Sequence, residues 1–324
     1  MLNYLSKKSF ELLITFIGIT LLSFFIINLT PGKPTDVMSE LNPKMTPEAR
    51  AILEKHWGLD NPVHIRYFIW LKNLSKFDFG NSLSSDPRPA WDKIKERLPI
   101  TIFINITSML LIFLIAVPLG IYSGLRPNSL RDKLITIGVF IGFAMPTFWL
   151  ALILQLVFGI WFNLLPISGL KSLSFDNLSL AQKIIDSARH LILPIFVSTI
   201  TGLAGLSRYM RSQMQEVLKQ EYIVTARAKG LSENTVIYKH ALRNAILPII
   251  TILGLSVPGL ISGSVIFETI FAIPGVGQLL YQAAMARDYN VIMAEVVIVS
   301  VLTLLGNLLA DIGYALADPR IRVK

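Results

Sequence analysis

Long runs without a single Asp, Glu, Lys or Arg alternate with polar stretches along this chain. Residues 12–32, 99–125, 134–170 and 244–267 carry no charge at all. Each reaches the ~20 residues that a helix needs to cross ~30 Å of hydrocarbon. Residues 191–207 form a shorter apolar run, and 289–310 are interrupted only by Glu295. The pattern predicts an all-α integral membrane protein with six transmembrane helices. The first lies within 1–32, and the rest span about 99–125, 134–162, 190–207, 244–267 and 289–314.

Lys7 and Lys8 ahead of the first apolar run resemble the start of a signal peptide. The run is too long for one, and Leu29-Thr30-Pro31-Gly32 offers no small-residue cleavage site, so it reads as a retained span. Residues 33–98 form a mixed-charge polar region. Within it, residues 48–57 have helical spacing behind Thr46-Pro47, an N-cap followed by Pro at the first helical position. Gly58, Asn61-Pro62 and Pro87–Pro89 signal turns. His56 and His64 stand eight apart with no third ligand in register, which points to surface or packing roles rather than a metal.

Composition agrees with the pattern. Apolar residues make up 53% of the 324 and charged residues 16%, with a mean hydropathy of +0.58; a soluble domain has about 25% charged residues. Cys is absent, which removes disulfides, thiolate metal sites and Cys nucleophiles. The net charge of +9 reads as cytoplasm-facing cations, not as nucleic-acid binding. With the N-terminus in the cytoplasm, fifteen basic residues fall inside and four in the short outside loops. The sequence therefore predicts both termini inside. Residues 33–98 lie outside as a partly helical extracytoplasmic region, and 318–324 form a cytoplasmic tail.

The spans are interrupted by helix breakers: Pro118 and Gly120, Met145-Pro146, then Pro194, Gly202 and Gly205. The fifth carries Pro248, Gly254, Pro258, Gly259 and Gly263. Freed backbone groups at such points need neighbouring helices or cavity water. The crowding in span five fits either close helix packing or a moving, pathway-lining helix. Glu268 and Pro274-Gly275-Val276-Gly277 follow in an apolar, turn-rich segment that is a candidate to dip back into the membrane. Glu295 is the one charge well inside a span, with a pathway role and snorkelling to the outer interface as its two readings. Pro258, Gly259, Gly263, Glu268, Pro274, Gly275, Gly277 and Glu295 are the candidate gate or pathway residues. Asp311, near the inner end, is placed to pair with a loop cation.

Chemistry of other kinds is missing. There is no GxxxxGK[ST], no HExxH and no GxSxG, and no span holds the paired acids of a proton-coupled pump. Catalytic residues, metal ligands and cofactor-binding residues are therefore expected to be none. A chain of this kind reads as a conduit powered from elsewhere, not as an enzyme.

Between the fourth and fifth spans lies the longest polar segment of the inner side, the cytoplasmic loop 208–243. Good helix formers dominate from Arg211 to Lys229, Gly230 fits the C′ position, and Ser232 fits the N-cap of a second helix. Ala226, Ala228 and Gly230 are small enough to let another surface approach. Arg227, Lys229, Lys239 and Arg243 supply charge for an acidic partner.

Thr225-Ala226-Arg227-Ala228-Lys229-Gly230-Leu231 with the later stretch from His240 to Pro248 resembles the coupling loop of ABC-importer permeases. The resemblance is to the B-type subunit of oligopeptide, dipeptide and nickel importers, and it runs end to end. It includes Pro31-Gly32, Gly58-Leu59-Asp60-Asn61-Pro62, Phe79-Gly80-Asn81-Ser82 and Arg97-Leu98-Pro99. Pro146-Thr147-Phe148-Trp149, Glu268-Thr269-Ile270-Phe271, Pro274-Gly275-Val276-Gly277, Arg287-Asp288-Tyr289 and Asp318-Pro319-Arg320 complete it. Two departures stand out. Val224 occupies the Glu position of the general E-A-A-x-x-x-G motif, and Lys33 stands where the subfamily often has an acid.

The resemblance implies the type I ABC-importer permease fold, with a permease core over 99–317. It implies a second, C-type permease, two ABC ATPase subunits carrying ATP and Mg, and an extracytoplasmic solute-binding protein. The site would be a bacterial or archaeal cytoplasmic membrane. Thr225, Ala226, Arg227, Ala228, Lys229, Gly230, His240 and Arg243 are the implied ATPase-docking residues. The implied cargo is di- or oligopeptides. Nickel or nickel-chelate import by the same architecture, and a secondary transporter, are the alternatives.

Overall fold

The computed structural model describes residues 2–317, without the side chains of 2–6, 9, 41, 258 and 309–317. The tail 318–324 and the side chains of Pro258 and Asp311 thus lie outside the described residues. Among those residues the chain is helical, with no strand beyond one isolated bridge between Asn81 and Pro89. The first five helices are α1 (Leu2–Leu29), α2 (Pro34–Leu41), α3 (Pro47–His56), α4 (Val63–Leu74) and α5 (Ala90–Leu125). Then come α6 (Leu130–Ala144), α7 (Thr147–Leu154), α8 (Leu180–Leu218) and α9 (Glu221–Ala228). The last five are α10 (Leu242–Ala245), α11 (Leu247–Ser256), α12 (Val265–Ile270), α13 (Val276–Met285) and α14 (Tyr289–Ala317). Wider π-helical turns continue α7 over Gln155–Trp161 and lead into α10 over Thr235–Ala241. By length and apolarity four helices can cross a membrane, or six if each of two bent pairs counts as one crossing.

The chain divides into two compact units, with α5 passing from the first to the second at Thr101. The first unit holds residues 1–101, 261–265 and 274–324. In it α1 packs on α4 and α14 around Phe24, Tyr67, Trp70, Met293 and Val297. Thr46 caps α3 by accepting the Ala49 N–H at 3.2 Å, as its position before Pro47 predicts; such a cap contributes about 1 kcal/mol. Three sequence motifs meet here. Gly32 has φ +93°, and a Cβ on it would sit 2.5 Å from the Arg287 guanidinium, which donates to the Pro31 carbonyl. Tyr289 donates its hydroxyl to the Gly32 carbonyl at 3.1 Å. Asp288 accepts the Ser82 hydroxyl and, at 3.0 Å, the Leu83 N–H. Asn290 donates to the Asn81 carbonyl at 2.7 Å.

The same unit explains Lys33. Its ammonium meets Glu54 at 2.5 Å, and Glu54 also accepts from Arg50 at 3.0 Å and from Thr35 at 2.9 Å. Arg50 in turn pairs with Asp36. Lys33 first, then Arg50 and Thr35, hold the Glu54 carboxyl down from 4.5 to about 2 against the opposing effect of burial.

In the second unit α8 packs on α6 and α7. Gly120 and Gly124, four apart on α5, bring that helix against α8. A Cβ on Gly120 would stand 2.6 Å from Met210 Cβ, and one on Gly124 would stand 2.8 Å from Met214 Cβ. Small residues at this spacing are how apolar helices approach closely. Asp132 at the start of α6 is buried and takes the Arg211 guanidinium of α8 in a two-point grip, Nε at 2.8 Å and Nη2 at 2.7 Å. Ser123 and the Asn128 N–H also donate to it. Gln155, inside an uncharged run, is buried and donates to the carbonyls of Ile167 at 2.7 Å and Ile270 at 3.2 Å.

Three expected spans come out differently. The stretch 134–162 is not one straight helix: α6 and the helix beginning at Thr147 meet at 95°. Pro146 excludes the helical region for the residue before it, and Met145 is extended with φ −79° and ψ 129°. The stretch 244–267 is broken between α11, a 3₁₀ turn at Val257–Leu260 and α12. The run 190–207 lies inside a single 39-residue helix that starts ten residues earlier and ends eleven later, so Arg208 and Arg211 sit on α8 rather than in a loop.

Candidate functional site

The segment between α8 and α11 is folded against the helices it connects. Ile223 and Ala226 of α9, Val236 and Ala241 of the π-turn, Ala245 of α10 and Ile249 of α11 are all buried. They form one cluster with Ala116 and Ile121 of α5 and Leu206, Met210 and Met214 of α8. Burying a side chain the size of Ile223 or Val236 contributes about 1.5–3 kcal/mol. The sequence places these residues by spacing: Ile223 and Ala226 are three apart on α9, on the same face.

Two caps define the turn between the loop's helices. Gly230 has φ +73°, the left-handed conformation expected of a C′ glycine. The Ser232 hydroxyl accepts the Thr235 N–H at 3.4 Å, and its carbonyl accepts the Val236 N–H at 3.0 Å, so Ser232 starts the second helix. Arg227 reaches over the turn to Glu233. Asn244 donates to the Tyr222 hydroxyl at 2.8 Å, tying α10 to α9.

This fold sorts the loop's candidate residues. Thr225, Arg227, Ala228, Lys229, Gly230 and Arg243 are exposed, and His240 is half-buried. A Cβ on Gly230 would meet nothing within 4 Å, so the turn is bare. Ala226 faces the protein's own core instead of outward. Arg227 is already engaged by Glu233; Lys229, Lys239 and Arg243 are exposed cations as well.

The candidate gate residues divide between the units. Gly263 and Gly277 belong to the first, and their backbones touch so closely that no side chain fits at either. Gly275 starts α13, and the adjacent Val276 N–H donates to the Thr101 hydroxyl at 3.0 Å. Pro274 beside it is half-buried. Glu295 is also in this unit and is buried, 3% exposed. In the second unit Glu268 is buried beside the edge-on ring pair Phe267–Phe271. Gly259 is exposed in the 3₁₀ turn, with open space where a Cβ would stand. After Ile270 the chain turns at Ala272, φ 49°, into α13 rather than running on as one apolar segment.

Sequence reasoning missed Asp132 with Arg211, Asp288 with Ser82, and Gln155. A polar residue recurring beside apolar runs was the available signal, but its partner lies 79 or 206 residues away. Among the described residues no group of three His, Cys, Asp or Glu could hold a metal ion.

Long apolar helices and helix pairs broken inside apolar runs mark a multi-pass membrane protein. Residues 116–323 match the family described as binding-protein-dependent transport system inner membrane component, and residues 1–105 match its N-terminal region. The oligopeptide transport system permease protein AppB of Bacillus subtilis is 43% identical over 99% of both chains. The di/tripeptide permease DppB of Pseudomonas aeruginosa is 37% identical over 99% of both, and the dipeptide permease DppB of Escherichia coli is 35% identical over the full length of both. The chain belongs to the binding-protein-dependent transport system inner membrane component family.

Proposed function

We propose that this chain is the B-type membrane subunit of an ATP-driven importer of di- and oligopeptides. The peptide names of relatives that share its full length support the cargo, and they do not favour nickel. The crossings are α1, α5, the bent α6–α7 pair, α8, the broken stretch 244–267 and α14, with both termini in the cytoplasm and 33–98 outside. A second, C-type permease, two ATPase subunits holding ATP and Mg, and a solute-binding protein complete the assembly.

The loop cluster that joins Ile223 and Val236 to Met210 and Met214 carries this reading. A loop clamped to α5 and α8 passes on any displacement applied to it. Its bare outer surface at Thr225, Ala228, Lys229 and Gly230 receives the ATPase. Closure of the ATPase pair moves the spans because the two states make different contacts there. His240 and Arg243 flank the contact. In the first unit Gly263, Pro274, Gly275, Gly277 and Glu295 are the candidates to gate the solute path, and in the second unit Gly259 and Glu268 are.

Proteoliposomes holding the complete assembly test the proposal. Uptake of a radiolabelled tripeptide should require ATP and the binding protein and should survive ionophores. Uptake that follows an ion gradient and ignores ATP would make the chain a secondary transporter instead.

A further inference from the structure

Two hollows lie along α5 and α8 in the second unit, and their linings differ in polar share. One, of about 830 Å³, is walled mainly by Phe103, Leu111 and Ile115 of α5 and Ile192, Phe196 and Leu203 of α8, with Thr107, Ser187, Thr199 and Lys183 among them. It is the wall expected against hydrocarbon or another apolar helix. The other, of about 660 Å³, is bordered by a different face of each helix and by α11. Asn105, Ser108 and Ile112 line it from α5, three and four apart. Ser198, Gly202, Gly205 and Tyr209 line it from α8, and Ile252, Ser256 and Gly259 from α11 and the turn after it. Met109, Phe113, Leu206 and Leu260 complete a lining that is mostly apolar, into which each of the three helices sets polar or side-chain-free positions.

Gly202 serves helix packing, since a Cβ there would stand 2.3 Å from Ile112 Cδ1. Two observations set the other positions apart. A Cβ on Gly205 or Gly259 would meet nothing within 4 Å, so no neighbouring element requires glycine there. Ser108 is 2% exposed, and its hydroxyl has no hydrogen-bond partner in the protein. A buried hydroxyl without a partner costs about 1–3 kcal/mol unless something else satisfies it. Asn105 donates its amide to the Leu260 carbonyl at 2.9 Å and fixes one edge of the hollow.

Building on the importer reading above, we infer that this hollow is this subunit's wall of the solute path and that it takes peptides by their neutral backbone amides. Among apolar side chains its lining offers hydroxyl, amide and phenol groups and no charged side chain. Hydroxyls both donate and accept, so they pair with peptide N–H and C=O groups alike. A wall without charge holds basic, acidic and apolar peptides equally, so it lets cargo pass without sorting it by side chain.

The chain has no native cysteine, so single cysteines report directly. Ser198→Cys and Ser256→Cys are compared with Ile192→Cys and Phe196→Cys in the assembled complex in liposomes. The reagent is a charged, membrane-impermeant methanethiosulfonate. Cysteines in a water-filled path ionise and react, whereas those in apolar surroundings do not, so the first pair should label about tenfold faster or more. Gly205→Ala and Gly205→Trp should lower tripeptide uptake in order of size while the complex still assembles. Equal labelling of both pairs, or normal uptake by Gly205→Trp, overturns the assignment. A wild-type complex that hydrolyses ATP yet imports no peptide would instead refute the importer reading, and the labelling comparison would still judge the hollow.

Discussion

Arg227 holds Glu233 across the Gly230 turn, with Nε 2.8 Å from Oε1 and Nη2 3.3 Å from Oε2. Both side chains are exposed, 43% and 61%, so the pair contributes only about 0.2–1 kcal/mol. Its value lies in holding the two loop helices at one angle. Arg227→Glu should reduce binding-protein-stimulated ATP turnover, and the exchange Arg227→Glu with Glu233→Arg should restore it. If the exchange fails to restore turnover, Arg227 acts on a partner rather than on Glu233.

Ala226 and Ala228 sit two residues apart on α9 and face opposite ways. Ala228→Trp should leave membrane insertion and thermal stability unchanged while abolishing peptide uptake. Ala226→Trp overpacks the cluster around Met210 and should cost about 1–3 kcal/mol, read as a lower melting temperature in detergent. Normal uptake by Ala228→Trp would remove that surface from the docking site.

Asp132 and Arg211 join α6 to α8 with Asp132 4% exposed and Arg211 30%. Removing the cation leaves a buried carboxylate, so Arg211→Ala should destabilise by about 3 kcal/mol. Arg211→Lys should recover only part of this, because an ammonium cannot make the two-point grip. Thermal unfolding of the purified protein measures both.

Glu54 provides a pH test outside the spans. Its folded value is depressed to about 2 from an ordinary 4.5. The contribution is therefore complete above about 4.5 and is lost as pH falls toward 2. Hydrogen-exchange protection factors over 34–56, corrected for the intrinsic rate at each pH, should stay high in neutral solution and fall in that window. In Lys33→Ala the fall should begin at higher pH. Identical profiles would show that Lys33 does not hold Glu54.

Local signals were the legible part of this protein. Thr46-Pro47, Gly230 and Ser232 each mark a helix end by their own chemistry, and each stands where that chemistry puts it. Apolar runs reported where hydrocarbon length is met but not where helices end. The polar ends of α5 and α8 extend the helices without extending the runs. Pro146 announced a disruption but not a 95° turn, since the angle depends on what receives the second helix. Within the loop, neither the inward direction of Ala226, which the sequence offered to a partner along with Ala228, nor the partner of Arg227 was legible. The links most remote in sequence, Ser82 to Asp288 and Asp132 to Arg211, needed the fold itself.

The unusual length of α8 has a mechanical consequence. At 1.5 Å per residue its 39 residues measure about 58 Å, nearly twice the hydrocarbon thickness. Pro194 is its one internal proline, and from Ser198 to Leu218 it has none. The face that Ser198, Gly205 and Tyr209 turn to the hollow and the Met210–Met214 anchor of the loop are therefore parts of one stiff shaft. Torque applied at the loop end reaches the far face as rotation, without a joint in between to dissipate it.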